Sequence, residues 1–205
     1  MHAAAPPTSF PLIRDVGLSG MLVTFSDQLS EAANRAALAF RGAVEATDLP
    51  GLEECSTSLT STFVRFDPLA LPHATLRETL TALLAQQDWF AAALPQRRRL
   101  WRVPTVYDPA LAPQLEECAA AAGMSLDQAV AEISSSQVRI LTIGHSPSMP
   151  YMGELPEVWD LPRLAQLTPQ VPVGALVLAI RQLIVFSVST PTGWSHVGQT
   201  AFRAF

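Results

Sequence analysis

The chain has 205 residues and a formal net charge of −5, and 49% of its residues are hydrophobic whereas 15% are charged. This composition can supply a packed core and excludes an intrinsically disordered chain, and the length allows one large domain or two small ones. Because the acidic balance offers no basic surface, we expect no nucleic-acid partner.

Cellular context is predicted from the cysteines and from the apolar segments. Cys55 and Cys118 lie far apart without the spacing of a metal site, so reduced thiols in a cytoplasmic protein are predicted. Residues 1–7 lack the cationic and apolar regions of a signal peptide. The longest apolar run, residues 171–188, is interrupted by proline, glycine and arginine. It therefore fits buried strands better than a membrane span, and no membrane partner is expected.

The first half of the chain alternates between strand and helix patterns. Short runs of alternating apolar residues predict strands, and apolar residues at helical spacing after Ser30 predict a helix. Thr75 and Glu78 have the spacing of a capping box, which predicts the start of a second helix. The order is therefore βαββα, an α/β sandwich whose core Trp89 and Phe90 are expected to close. In chain order the elements are a strand at Leu18–Phe25, a helix from Ser30 to Val44, strands at Leu52–Cys55 and Leu59–Phe66, and a helix from Thr75.

The second half changes to short strands that are separated by prolines and turns, which indicates a β-barrel or sandwich. Two helices lie near its start. Gly123 suits the left-handed C-cap of the first, and Ser125 with Gln128 forms a capping box for the second. We therefore predict an α+β fold with one domain at residues 1–95 and another at residues 96–205. The elements are a strand at Leu100–Tyr107, helices at Ala110–Ala122 and Ser125–Ser134, and strands at Val138–Ile143, Ala175–Ile180, Leu183–Val188 and Trp194–Val197.

Few residues carry chemistry, and the sequence has no Walker loop, dinucleotide fingerprint, nucleophile elbow or metal-type His/Cys cluster. His145 could be a surface residue, an acid/base or a hydrogen-bond donor to an anion. Arg163 could clamp a carboxylate or phosphate, or remain a solvated loop cation. Gln182 stands inside an apolar strand, where its amide either cross-links the structure or contacts a ligand. Trp194 follows a tight turn and belongs to the core more often than to a site.

Several motifs, taken in order, match one family, and the spacing needs no gap from Val103 to Thr200. Residues 144–153, GHSPSMPYMG, correspond to the family loop G-F-x-P-G-F-P-Y-L-G. The chain thus resembles the allophanate hydrolase subunit 1 family, which also includes the B subunit of bacterial 5-oxoprolinase and the Kip-type histidine-kinase inhibitors. The other matching segments are residues 103–107, residues 155–157, the pair Pro162-Arg163, residues 171–174, Gln182, residues 190–194 and residues 197–201.

The resemblance implies a small N-terminal α/β domain followed by a cyclophilin-like β-barrel domain, with a last barrel strand beyond Phe205. It also implies a hydrolase subunit that acts with a subunit 2 partner in the ATP-dependent opening of a cyclic or ureido amide. ATP would be bound by this chain or only together with the partner.

For the site, the resemblance implies an arginine that clamps an anionic group, two polar side chains that hydrogen-bond the substrate, and two aromatic walls. His145 could replace a lost donor. No catalytic residue and no metal ligand is assigned. The clamp is Arg163, the polar side chains are those of Gln182 and Thr200, and the walls are Tyr151 and Trp194.

At several polar positions of the family this chain carries other residues. The family's aspartate, histidine and arginine correspond to Gln114, Ile133 and Gln199, and a second Pro-Arg pair corresponds to residues 167–168. Loss of one transition-state donor costs roughly 10²–10³ in rate. These changes support a second hypothesis, in which the chain is a non-catalytic regulatory binding protein, such as an inhibitor whose partner is a histidine kinase.

Overall fold

The computed structural model describes residues 9–96 and 98–203, so the expected absence of a signal peptide concerns residues outside this range. The chain divides into two compact units between Arg98 and Arg99. Both cysteines are free thiols, as predicted. No helix in the described part of the chain is long and apolar enough to cross a membrane.

The first unit contains a four-stranded antiparallel sheet. Its first two strands, β1 (Leu12–Val16) and β2 (Gly20–Thr24), form a hairpin across Gly17, whose φ of +64° lies in the left-handed region that favours glycine. The other two, β3 (Leu52–Ser58) and β4 (Ser61–Phe66), complete the order β1-β2-β4-β3. The predicted pattern βαββα lacks β1, because this edge strand has an exposed half without apolar alternation.

Two helices supply the apolar residues that pack against this sheet. The helix α1 (Glu31–Glu45) begins after Ser30, whose side chain accepts a hydrogen bond from the first turn, as predicted. The helix α2 (His73–Leu84) begins after Pro72 without a side-chain cap, so the predicted start at Thr75 is wrong. Proline is compatible with a helix start, because the backbone donor that it lacks would have no partner there.

The core of the first unit is closed by two aromatic residues from the short segment after α2. Trp89 is buried and meets Phe40 edge to face, with ring centroids 5.1 Å apart. Phe90 contacts Phe25 in the same way at 6.0 Å. The prediction that Trp89 and Phe90 close this core is therefore confirmed. The other buried core residues are Met21, Val23, Ala33, Ala36, Ala37, Val44, Val64, Phe66, Leu71, Leu76, Leu80 and Leu83.

The second unit begins with irregular chain and two helices, α3 (Leu115–Ala121) and α4 (Leu126–Ser135). The predicted capping box of α4 is confirmed, because Ser125 Oγ accepts from Gln128 N while Gln128 Oε1 accepts from Ser125 N. The helix α3 begins later than predicted, since Pro113 disfavours helical backbone at the residue before it.

The predicted strand at Leu100–Tyr107 is wrong. Within this stretch Val106 forms an isolated antiparallel bridge with Gln199, and the remaining residues belong to no strand. Pro104 lacks the backbone donor that a continuous ladder would need, which explains why the pairing stays local.

A five-stranded antiparallel sheet forms the centre of the second unit. Apolar clusters cover both of its faces, and one face packs against α3 and α4. The opposite face carries a separate cluster that contains Val177, Ile184 and Trp194. The strands are β5 (Arg139–Ile143), β6 (Pro150–Gly153), β8 (Ala175–Ala179), β9 (Gln182–Val185) and β11 (Ser195–Gln199), in the order β11-β8-β9-β6-β5, and β7 (Thr168–Val171) pairs separately with β10 (Thr190–Thr192).

The sheet of the second unit is open among the described residues. The strands β11 and β5 stand at opposite edges, and no pairing joins them. The predicted α+β class is confirmed by this arrangement of helices and antiparallel sheets, whereas the predicted cyclophilin-like barrel is not confirmed.

Candidate functional site

A cleft of about 300 Å³ lies over the face of the five-stranded sheet that is opposite α3 and α4. It is formed by the loop after β5, the segment between β6 and β7, the strand β9, and the region from β10 to the start of β11. Four of the predicted site residues line it, namely His145, Tyr151, Arg163 and Trp194. The other lining residues are Met149, Leu164, Leu167, Ile184, Phe186, Thr190, Pro191, Thr192 and Gly193.

The floor of the cleft is apolar. Met149, Ile184 and Phe186 are 1%, 2% and 3% exposed. Ile184 in β9 and Phe186 just after it are two residues apart, so they point to the same face. Met149 is fixed by its loop, because its N donates to Ser146 O at 3.2 Å and its O accepts from Gly144 N at 3.2 Å. The floor is therefore a well-packed surface that is part of the core.

Two aromatic side chains form one wall. Tyr151 and Trp194 meet edge to face, with ring centroids 6.0 Å apart and an interplanar angle of 81°. Trp194 follows the short strand β10, and its backbone N donates to Thr192 Oγ1 at 3.1 Å. This hydrogen bond fixes the turn before β11, so the indole is held in a defined orientation at the cleft.

The Arg163 guanidinium lies over the Trp194 ring, with Cζ 5.4 Å from the ring centroid, which is a cation–π contact. The segment that contains Arg163 is hydrogen-bonded to the turn before Trp194, because Leu164 N donates to Gly193 O at 2.6 Å. The guanidinium has no hydrogen bond or ion pair with any residue that the structure describes, and no Asp or Glu lines the cleft. A cation held in this way can receive an anion, and the guanidinium fork matches the geometry of a carboxylate or a phosphate.

His145 lies in a loop with unusual backbone geometry. Its φ is +60° and that of Ser148 is +57°, a region that costs most residues other than glycine about 1–2 kcal/mol. The loop places the exposed imidazole at the cleft. In the sequence, His145 precedes Met149 and Tyr151 follows it, and all three residues line the cleft. The imidazole can therefore donate a hydrogen bond to a bound group.

The two other predicted site residues do not line the cleft. Gln182 is 5% exposed at the start of β9, one strand repeat before Ile184 and opposite Ala179. The hydroxyl of Thr200 donates to Pro104 O at 2.6 Å and accepts from Phe202 N at 3.1 Å. Through these hydrogen bonds Thr200 stabilises the chain after β11. The structure therefore brings four of the six predicted residues together at the cleft, and Gln182 and Thr200 lie outside it.

Sequence reasoning missed the apolar lining residues, above all Met149, Phe186 and Leu167. A signal was present for Phe186, because it continues the alternation of Ile184 in β9. No local signal existed for Leu167 or Met149. Their positions depend on how loops that contain prolines fold over the sheet.

Three residues that depart from the family pattern, namely Gln114, Ile133 and Gln199, have structural contacts, whereas Leu167 lines the cleft. Gln114 connects α3 to β11, because its N donates to His196 O at 3.1 Å while its Oε1 accepts from His196 N. Ile133 is a buried residue of α4, 4% exposed, in the core of the second unit. Gln199 Nε2 donates to Val173 O at 2.8 Å. These side chains therefore stabilise the second unit and are not placed at the cleft.

His196 is a buried polar residue in β11 that sequence reasoning did not single out. It is 7% exposed, and its Nε2 has no hydrogen-bond partner among the described residues. Burial lowers the pKa of His196 below its ordinary value, because the charged imidazolium would lose its hydration. Burial in the fold therefore favours the neutral imidazole over the charged one.

No group of His, Cys, Asp and Glu side chains within the described ranges could hold a metal ion. The chemistry that the cleft itself offers is thus binding by one guanidinium, one imidazole, hydroxyls and aromatic faces.

Comparison with known proteins gives consistent matches over this chain. A family model described as carboxyltransferase domain, subdomain C and D, matches residues 11–205. The 5-oxoprolinase B subunit of Bacillus subtilis is 25% identical over 203 residues, which cover 94% of this chain and 83% of that protein. The 5-oxoprolinase B subunit of Escherichia coli O157:H7 is 31% identical over 169 residues, which cover 81% of this chain and 74% of that protein.

A solved structure agrees with these matches. The crystal structure of TTHA0988 superposes with a TM-score of 0.72 at 27% sequence identity. The match covers 93% of this chain, which spans 35% of the length of that protein.

Proposed function

The chain belongs to the carboxyltransferase domain, subdomain C and D, family, which includes the 5-oxoprolinase B subunit, and from this premise we propose that it is one subunit of an ATP-dependent hydrolase. The reaction is the opening of a carbon–nitrogen bond in a cyclic or ureido amide, as in the conversion of 5-oxoproline to glutamate. The relatives are named as one subunit of 5-oxoprolinase, which supports the need for further subunits, so a subunit 2 partner is part of the proposal.

The observation that carries this proposal is the unpaired guanidinium of Arg163 in the cleft. The sequence contains no lysine, so a cationic contact to an anionic substrate must come from arginine or histidine. Arg181, by contrast, is occupied, because its Nε donates to Leu155 O at 2.9 Å and its guanidinium lies 3.7 Å from the Glu154 carboxylate. Arg163 is therefore suited to bind the carboxylate of a substrate such as 5-oxoproline.

The proposed binding mode uses four residues of the cleft. The substrate carboxylate accepts two hydrogen bonds from the Arg163 guanidinium. The planar amide lies against the Trp194 indole, whose orientation Tyr151 helps to fix by their edge-to-face contact. His145 reaches the amide or carboxylate as a hydrogen-bond donor. We do not assign Gln182 and Thr200 to the substrate, because they lie outside the cleft and the Thr200 hydroxyl already bonds to Pro104 O and Phe202 N.

The proposal places ATP outside the cleft of this chain. A triphosphate needs several cationic side chains, a metal ion or a row of backbone donors. The cleft offers one guanidinium and one imidazole, and the described residues contain no acidic cluster for a metal ion. We therefore place the ATP site on the partner subunit, and the role of this chain is to bind and orient the substrate.

The test of this function is the hydrolysis of 5-oxoproline by the chain together with its partner subunit in the presence of ATP. We expect Arg163→Gln to lower kcat/KM by about tenfold to hundredfold, because a hydrogen-bonded charge pair contributes roughly 1.5–3 kcal/mol. The matched control is Arg14→Gln, which removes an exposed arginine of β1 far from the cleft in sequence, and it should leave kcat/KM unchanged. Wild-type activity in Arg163→Gln would contradict the assigned site.

The regulatory hypothesis makes a different prediction. If the chain is a non-catalytic binding protein, the complex with the partner should form but show no ATP-dependent hydrolysis. Inhibition of the autophosphorylation of a histidine kinase by the purified chain would then support the inhibitor function.

A further inference from the structure

The cleft has two chemically different parts. Arg163 and His145 supply donors for an anion, whereas Met149, Ile184 and Phe186 form an apolar floor. No carboxylate lines the cleft, so the anion site has no internal competitor. A ligand that matches both parts has one negative group and an apolar body.

Leu167 extends the apolar part to the outer edge of the cleft. It lines the cleft and yet is 65% exposed. Its Cδ2 lies 3.5 Å from the position that a Cβ at Gly193 would occupy, and Arg163 Cβ lies 3.8 Å from the same point. Leu167 and Arg163 therefore both border the turn that carries Trp194, so a ligand bound at the guanidinium can also cover the leucine.

Covering this leucine would gain binding energy, because apolar surface that leaves water contributes roughly in proportion to its area. An exposed leucine elsewhere, such as Leu69 at 95% exposure in the first unit, does not line the cleft and gives no such gain. The gain is available only to a ligand whose apolar group extends outward from the anion site.

We propose that the cleft selects an organic monocarboxylate with an apolar substituent, whose carboxylate binds Arg163 and whose substituent packs against Leu167 and the apolar floor. Leu167 is the residue that determines this preference. The inference rests on the proposed function to the extent that both place an anion at Arg163. It deepens that function, because it names the class of substrate that the same cleft prefers.

Three small probes separate the contributions of charge and apolar body. Phenylacetate has both, acetate has the carboxylate alone, and phenylacetamide has the same apolar body without charge. Isothermal titration calorimetry with the full chain measures each Kd. We expect phenylacetate to bind about tenfold or more tightly than acetate and than phenylacetamide. Equal affinity of phenylacetate and either other probe overturns the proposal, and so does the absence of phenylacetate binding.

Variants then assign the two contributions to residues. Leu167→Ala should weaken phenylacetate binding by roughly threefold to tenfold and leave acetate unchanged. The matched control, Leu69→Ala, should leave both unchanged. Arg163→Gln should weaken phenylacetate by about tenfold or more and leave phenylacetamide unchanged. A Leu167→Ala variant that binds phenylacetate like the wild type overturns the role of Leu167.

The outcomes also separate this inference from the proposed function. If hydrolysis by the complex depends on Arg163 but phenylacetate affinity is independent of Leu167, the inference alone fails. If the complex shows no hydrolysis while the probe affinities follow the expected order, the proposed function fails and the ligand preference stands. Unchanged phenylacetate affinity in Arg163→Gln overturns the anion site on which both depend.

Discussion

At the scale of single residues, the turn between β8 and β9 shows backbone strain that other contacts compensate. Ile180 and Arg181 have φ values of +44° and +61°, and a β-branched residue in this region is an outlier because its side chain crowds the backbone. The turn is held from outside, since Ile180 N donates to Leu161 O at 2.7 Å and Arg181 Nε donates to Leu155 O. One backbone hydrogen bond and one donated by the Arg181 side chain thus hold the strained turn in place.

Relief of this strain should stabilise the protein. Ile180→Asn keeps the backbone hydrogen bond and replaces a β-branched residue by one that tolerates the left-handed region, so we expect the free energy of unfolding to rise by about 0.5–1 kcal/mol. Chemical denaturation with an unchanged m-value is the measurement. The matched control is Ile143→Asn, at an exposed residue of β5 whose φ is not positive. This substitution should not raise the free energy of unfolding. A fall in stability with Ile180→Asn would show that strain at this turn is not significant.

At the scale of elements, the strands of the second unit that the sequence failed to predict are those that contain a proline. The helix α4 and the strands β5, β8 and β9 were predicted close to their observed bounds, because their periodicity and caps are strong local signals. Three short strands of the second unit escaped prediction, and each contains a proline: β6 begins with Pro150, β7 contains Pro169 and β10 contains Pro191. Proline is read as a turn signal in a sequence, yet a strand tolerates it at its first residue, as in β6, or at an edge where the missing donor would face away from the partner, as in the two-stranded pair of β7 and β10.

The cap of α4 provides a test at this scale. Ser125→Ala removes the hydroxyl that accepts the hydrogen bond of Gln128 N, so we expect a loss of about 1 kcal/mol in the free energy of unfolding. Ser134→Ala in the same helix removes an exposed hydroxyl that bonds only to Ala131 O and should be neutral or slightly stabilising. Equal effects of the two substitutions in thermal or chemical denaturation would contradict the importance of the capping box.

At the scale of the whole molecule, stability should depend on pH through His196. Burial in the fold lowers the pKa of this imidazole, whereas in the unfolded chain it accepts a proton near pH 6.5. The unfolded state therefore binds more protons below that pH. Stability should fall as the pH drops from about 6.5 towards the lower pKa of the folded state, and this contribution should level off below it.

The variant His196→Gln tests this pH dependence. It keeps a polar side chain in β11 but cannot titrate, so the slope of the unfolding free energy against pH should become smaller below about pH 6.5. Denaturant midpoints at a series of pH values measure the slope for both proteins. If the variant and the wild type show the same slope, other groups cause the acid sensitivity.

The sequence alone determined the residue types of the candidate site and part of their placement. Arg163, Trp194 and His145 could be selected because cationic and aromatic side chains follow prolines or turns, where side chains meet solvent and ligands, whereas Tyr151 was assigned as a wall through the family resemblance. Gln182 was selected for a different reason, namely that an amide inside an apolar strand needs partners, but its position one strand repeat away from Ile184 leaves it outside the cleft. A local pattern predicts which face a strand residue occupies, and it does not predict which part of that face stays uncovered.

Only the tertiary structure decided which side chains meet. The cation–π contact of Arg163 with Trp194 joins two segments that have no local relation, and the exposed edge at Leu167 depends on how its loop crosses the turn at Gly193. Periodicity, caps and turn residues act over a few neighbouring positions, so the sequence determined the α+β class and most long elements by local physics. The cleft arises where loops from separate strands pack over one apolar face, and such packing depends on contacts between residues far apart in the chain.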